Sequence, residues 1–225
     1  MRIFRSPPFE DRRDAGRRLA RKLSRFRGER CIVFGLPRGG VPVAYEISRS
    51  LGAPLDVFVS RKLGAPGQPE FGIGAVAVGG VRVLSADVIR RLGITDEYVE
   101  RITATEVAEV NRRVRYFRGE RPEPEVGGRT AILVDDGLAT GVTAHAAVEA
   151  LRLRGPGRLI LAAPVCAAQT AELFRSRVDE LVCLASPSDL GAIGLWYKNF
   201  DQTTDEEVMQ LLVKARNERG GAADP

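Results

Sequence analysis

The chain has 225 residues, 44% of them hydrophobic and 28% charged, which is enough apolar side chain to bury one large core, with or without an inserted subdomain. Its longest apolar runs, such as RLILAAPVCAA at 158–168, stop well short of the roughly 18 to 20 residues that a membrane span needs, and no apolar h-region follows the Arg-rich start. These features exclude a helical membrane protein and lead us to expect a cytoplasmic one, while the net charge of +5 suits a nucleic-acid surface, solvated helix faces or attraction of an anionic small substrate.

Arginine is dense in the first thirty residues and in NRRVRYFRGER at 111–121, but both segments read as amphipathic helices with solvated charged faces, and that reading is preferred to a nucleic-acid surface. Residues 10–26 place Ala15, Leu19, Leu23 and Phe26 at helical spacing. RCIVFG follows as a buried strand, VPVAYEISRSLG as a helix closed by Gly52, and PLDVFVS as a second strand. TAILVDD is a strand, VTAHAAVEALRLRG a helix closed by Gly155, RLILAAPV a strand, TAELFRSR a helix and VDELVCLA a strand. Strands separated by helices of this length imply right-handed crossovers and a doubly wound α/β fold with a mainly parallel sheet, in which ligands sit beyond the carboxyl ends of the strands.

Two regions depart from the alternation. IGAVAVGGVRVLS carries a hairpin signal at Gly79 and Gly80, and SADVIRRLG and the stretch 95–118 read as helices, so residues 71–128 are expected to be a hairpin and helical insertion ended by the linker ERPEPEVGG. The core then covers about 28–70 and 129–185 of a single domain, and a C-terminal hood and helix cover about 186–219. Thr204 with Glu207 makes a capping box for the last helix, and the tail after Arg219 is expected to fray. Cys31, Cys166 and Cys183 stand singly in apolar segments, without the paired spacing of a zinc site or disulfide framework, and are expected to be buried thiols.

The segment ILVDDGLATGVT sets two carboxylates, Asp135 and Asp136, at the end of a buried strand and before a turn of small residues and hydroxyls. That turn, Gly137 to Thr143, leads into a helix whose amino end offers free backbone N–H groups, so a phosphate fits there with the hydroxyls of Thr140 and Thr143. The two carboxylates can accept hydrogen bonds from the vicinal hydroxyls of a ribose, so one loop would grip both ends of a ribose 5-phosphate. A Walker loop is excluded, because no Gly-Lys-Ser/Thr occurs. In FGLPRGGVPVA, a second strand ends in Pro37, Arg38, Gly39 and Gly40, which brings backbone N–H groups and a cation close to a ligand.

Four apolar residues, two acids and GLATGVT resemble the phosphoribosyl diphosphate motif of the type I phosphoribosyltransferases. The resemblance implies that Gly137, Ala139, Thr140, Gly141, Val142 and Thr143 hold the 5-phosphate, that Asp135 and Asp136 serve the ribose, and that the loop 37–40 binds the diphosphate. It also places Arg61 and Lys62 against the diphosphate and makes the Gly/Pro-rich segment 63–72 a mobile catalytic loop. The implied activity is transfer of ribose 5-phosphate from phosphoribosyl diphosphate to a nitrogenous base. Magnesium would be the cofactor, held mainly by the donor with Asp135 as the candidate protein ligand. The catalytic set is thus Asp135, Asp136, Arg61 and Lys62.

On the acceptor side, Ala139 stands where relatives that use 6-oxopurines usually carry an acid, so adenine-like, pyrimidine or unusual acceptors are expected. Glu70 is a proton-transfer candidate, and Trp196, Tyr197 and Phe200 are candidates for a base-stacking hood or for packing of the C-terminal helix. His145 is expected to be structural. A homo-oligomer is left open, and no membrane partner is expected. The rival function is a regulator that senses phosphoribosyl diphosphate and binds RNA or DNA through the Arg-rich helices, although no helix-turn-helix unit is evident.

Overall fold

A computed structural model describes residues 8–220 of the chain. Five parallel strands form the central sheet: β1 (Cys31–Gly35), β2 (Leu55–Val57), β6 (Thr130–Val134), β7 (Arg158–Val165) and β8 (Glu180–Ala185), in the order β2-β1-β6-β7-β8. Every residue of β1 is buried, and β7 is buried from Leu159 onward. Such near-continuous apolar runs are what a strand needs when helices cover both faces of its sheet. The helices are α1 (Arg12–Leu23), α2 (Gly40–Leu51), α5 (Val142–Arg152), α6 (Ala168–Arg175) and α7 (Asp205–Gly220). The doubly wound α/β fold and the alternation of its elements therefore follow the expectation from sequence.

Local rules start and stop these helices. Asp11 caps α1 by accepting a 2.7 Å hydrogen bond from the Asp14 N–H, and Ala15, Leu19 and Leu23 form its buried stripe. Gly52 ends α2 in the left-handed region at φ 68°. The Thr204 hydroxyl accepts from the Glu207 N–H at 3.1 Å, the amino-terminal half of the expected capping box. The tail at 221–225 lies outside the described residues.

The chain steps from β1 outward to β2 and later returns to β6 on the other side of β1. The loops after β1 and β6 therefore leave the sheet at its topological switch point, the place at the carboxyl ends of the strands where such sheets bind ligands.

A second sheet, antiparallel and three-stranded, holds β3 (Ser60–Ala65), β4 (Gln68–Ala77) and β5 (Arg82–Leu84), followed by α3 (Ala86–Arg91) and the long α4 (Asp96–Arg118). The Gly79–Gly80 hairpin joins β4 to β5, as the sequence indicates. Two expectations need correction. PLDVFVS is not one strand, because the parallel pairing ends at Val57 and Ser60 already pairs with Ala77 in the second sheet. The segment 63–72 is not a loop either: it is the end of an antiparallel hairpin that starts at Ser60, ahead of the expected boundary at 71. Leu63, Ala65 and Ile73 bury their side chains along it, and apolar burial favours the paired strands over an open Gly/Pro-rich coil.

The insertion is tied to the core by a buried ion pair. Arg118 at the end of α4 donates from Nε to Asp56 Oδ2 in β2 at 3.0 Å, and Asp56 Oδ1 accepts the Val57 N–H at 2.8 Å. Both carboxylate oxygens are thereby satisfied, as burial requires. Among the described residues no helix is long and apolar enough to cross a membrane. Cys31 and Cys166 are buried free thiols, whereas Cys183 is half-buried.

Candidate active site

Asp135 and Asp136 follow β6 directly. The Asp135 N–H donates to Ala162 O on the neighbouring strand at 3.1 Å, and the Asp136 N–H donates back to Asp135 Oδ1 at 2.9 Å. The Asp135 carboxylate is thus oriented by its own turn. Burial first and the adjacent Asp136 second push the Asp135 carboxyl well above its usual range. Burial raises Asp136 too, against the opposing pull of Arg12.

Arg12 is the site residue that motif reading missed. It projects from the first turn of α1, donates from Nε to Asp136 Oδ2 at 2.8 Å and from Nη1 to Asp201 O at 2.7 Å, and lays its guanidinium 3.9 Å from the Phe200 ring centre. Nothing local in the sequence announces this contact, since 124 positions separate Arg12 from Asp136.

The turn after the acid pair is fixed from below. The Leu138 N–H donates to Val165 O at 2.9 Å, and Leu138 O accepts the Ala167 N–H at 2.8 Å. Ala139 and Thr140 are exposed at the turn's outer side. Gly141, the residue before α5, takes φ +69° and packs where an added Cβ would lie 2.6 Å from the Phe174 ring and 2.8 Å from Thr170 Cγ2. Both conformation and space demand glycine there. No side chain caps α5, so the backbone N–H groups of its first turn remain available to an anion, with the Thr143 side chain half-exposed beside them.

The loop after β1 presses against this turn. A Cβ on Gly39 would fall 2.0 Å from Asp136 Oδ2, and one on Gly40 would fall 2.5 Å from Val134 O. Only glycine allows the two loops to meet, and the Pro37–Arg38 peptide bond between them and β1 is cis. Arg38 is half-exposed, with Nη1 3.8 Å from Asp205 Oδ1 at the start of α7.

Of the basic pair, Lys62 lies along Gly72, whose added Cβ would stand 3.1 Å from Lys62 Cδ and 4.0 Å from Val142 Cγ1, so the hairpin arm reaches the first turn of α5. Arg61 turns to the other side and binds Glu106 of α4 at 2.7 Å. Tyr98 of α4 donates its hydroxyl to Gly64 O at 3.0 Å, a second tether of the arm. Glu70 lies on β4, but its side chain lies outside the described residues.

The hood is built from both ends of the chain. Phe9 and Tyr197 form a bridge, with the Phe9 N–H donating to Trp196 O at 3.0 Å and Lys198 N–H to Phe9 O at 2.9 Å. Trp196 and Tyr197 are 5% and 3% exposed, and they join Phe9, Ala15, Val165 and Leu190 in a small apolar cluster. The Trp196 indole N–H donates to Leu190 O at 3.1 Å. Phe200 has Tyr197 stacked at 4.9 Å and also carries Arg12. These rings pack the hood, and Trp196 and Tyr197 present no open face. Tyr197 also reaches the acid pair, because its hydroxyl donates to Asp136 O.

Two further expectations can be placed. His145 accepts from Arg177 Nε at 2.9 Å, and burial and that cation lower its basicity, a structural arrangement. Several Arg side chains on α1 and α4 are paired with nearby carboxylates, including Arg18 with Asp14 and Arg112 and Arg113 with Glu109, as solvated helix faces are. Among the described residues no group of three or more His, Cys, Asp or Glu side chains gathers that could hold a metal alone. The Asp135 side chain is a hard oxygen donor of the kind that would take part in holding a magnesium ion.

Comparison with known proteins agrees with this geometry. The family model described as "Phosphoribosyl transferase domain" matches residues 9–195. Two curated Mycobacterium tuberculosis proteins, both provisionally named phosphoribosyl transferases, are 44% identical over 218 residues, which is 96% of this chain and 49% of each relative. The chain therefore spans about half the length of those relatives. A Thermus thermophilus protein of known crystal structure is 42% identical with a TM-score of 0.78, covering 92% of this chain and 98% of that one. With the acid pair, the uncapped α5 terminus and the glycine loop assembled at one switch point, the chain belongs to the phosphoribosyl transferase domain family and has the type I fold.

Proposed function

We propose that the chain transfers the ribose 5-phosphate of phosphoribosyl diphosphate to a nitrogenous base in a magnesium-dependent reaction. The observation that carries this reading is the contact of the acid pair with the glycine loop at Gly39, beside a helix terminus free of side-chain caps. The terminus of α5 and the hydroxyls of Thr140 and Thr143 bind the 5-phosphate, and Asp135 accepts hydrogen bonds from the ribose hydroxyls. The bond from C1 to the diphosphate oxygen breaks as a base nitrogen attacks from the opposite face, so positive charge grows on the ribose ring and negative charge on the leaving group.

Asp135 and Asp136 lie where they stabilise the first charge, and the loop 37–40 with Arg38 and Lys62 the second. Arg61 reaches the diphosphate only by exchanging Glu106 for it. Asp135 would help to hold a magnesium ion, which when bound would supply further neutralisation of the diphosphate. The arm and hood exclude water, which would otherwise compete with the base.

Ala139 offers the acceptor neither an acid nor a base. Incubation with phosphoribosyl diphosphate, magnesium and a panel of bases tests the reading by diphosphate release. Adenine-like, pyrimidine or unusual nitrogen acceptors should exceed hypoxanthine and guanine by about 10³-fold, the scale of well-oriented attack. Rapid turnover of hypoxanthine or guanine would refute the role given to Ala139, and no release with any base would refute transfer.

A further inference from the structure

We infer that Thr170, on α6 and outside every motif named above, is a positioning residue for the 5-phosphate: its hydroxyl holds the Ala139 carbonyl away from the anion so that this peptide presents its donor side. This rests on the proposed phosphate site.

An anion site made of backbone groups has an intrinsic weakness. Each peptide that offers an N–H also carries a carbonyl, and a carbonyl turned toward phosphate repels it. Loops of small residues have many conformations, so the favourable one must be held from outside.

Two carbonyls of the turn, those of Leu138 and Ala139, are held from below. Leu138 O accepts the Ala167 N–H at 2.8 Å, and Ala139 O accepts the Thr170 hydroxyl. Both partners come from the junction of β7 and α6, beneath the loop. Thr170 is 7% exposed, so its hydroxyl is a buried donor with a partner, and Thr170 Cγ2 also flanks the left-handed Gly141. One side chain therefore fixes the peptide on the near side of Thr140 and supports the residue on its far side. The Leu138 contact is made by backbone, and any residue but proline at 167 can supply it; the Ala139 contact needs a side-chain donor at 170.

A structural role alone would make the loss of this hydroxyl felt evenly. A positioning role concentrates it on the ligand end that the loop holds. The test is calorimetric titration of the full chain with two probes, ribose 5-phosphate without magnesium and inorganic diphosphate with magnesium, for wild type, Thr170→Val and Thr170→Ser. Thr170→Val keeps the shape and removes the donor.

We expect it to weaken ribose 5-phosphate about tenfold, equivalent to about 1.4 kcal/mol, with diphosphate affinity unchanged. Thr170→Ser should restore ribose 5-phosphate binding to near the wild-type value. Equal affinity of wild type and Thr170→Val for ribose 5-phosphate would overturn the inference while leaving the phosphate site intact. Parallel weakening of both probes with a lowered melting temperature would reduce Thr170 to a packing residue and overturn it as well. Failure of wild type to bind ribose 5-phosphate would instead remove the phosphate site, and the inference with it.

Discussion

A carboxyl at position 135 ionises against two forces, lost solvent and the neighbouring charge of Asp136. Between the ordinary carboxylate value near 4 and its raised value, the folded chain holds a proton that the unfolded chain has lost. Stability from this residue is therefore complete at acid pH and declines as pH rises through the raised value. Asp135→Asn keeps an oxygen for the Asp136 N–H but never ionises. It should melt higher than wild type at pH 8, by about 2 to 4 °C for each kcal/mol recovered, with the difference vanishing near pH 3 to 4. A variant that melts lower than wild type at pH 8 would contradict the strain assigned to Asp135. Asp135 and Asp136 were legible because two acids after a buried strand have no packing reason to be there. Arg12 was not, because the sequence places it in an ordinary charged helix and only the fold carries it to Asp136.

The arm formed by β3 and β4 shows where element boundaries defeat a sequence reading. Gly64, Pro66, Gly67 and Pro69 suggest a loop, yet Leu63 and Ile73 are buried and pair the strands around them, while Tyr98 and Glu106 of α4 hold the arm from outside. Pro66 to Pro69 at the tip are exposed, and so is Phe71 beside them. Any closure over a donor would therefore involve this exposed end and not the buried, paired residues below it. In hydrogen exchange, phosphoribosyl diphosphate with magnesium should slow the amides of Gly67, Gln68 and Gly72, while residues 73–77 stay slow in both states. Unchanged exchange at the tip would remove the arm from the mechanism. The hood had the opposite fate. Its aromatic residues drew attention in the sequence, but the partner that buries them, Phe9, sits at the other end of the chain, and pairing across such a span leaves no local signal.

At the scale of the molecule, strand order does what no single motif can. Because β1 and β6 are adjacent and their connections diverge, the glycine loop and the acid pair are brought into contact although they are far apart in sequence. The parallel core was legible from its apolar runs and helix stops. The second sheet was half legible, through the Gly79–Gly80 turn, because antiparallel pairing through a bulged, glycine-rich strand has a weak period-two pattern.

The central claim is that the switch point holds the ribose of a phosphoribosyl diphosphate through Asp135 and Asp136. The most direct measurement is a calorimetric titration of that donor, with magnesium, into wild type and the Asp135→Asn/Asp136→Asn variant, with circular dichroism to confirm an unchanged fold. The account predicts micromolar binding to wild type and a loss on the order of 10²-fold in the variant, the scale of lost preorganised charge stabilisation. Equal affinity in the two proteins would contradict it.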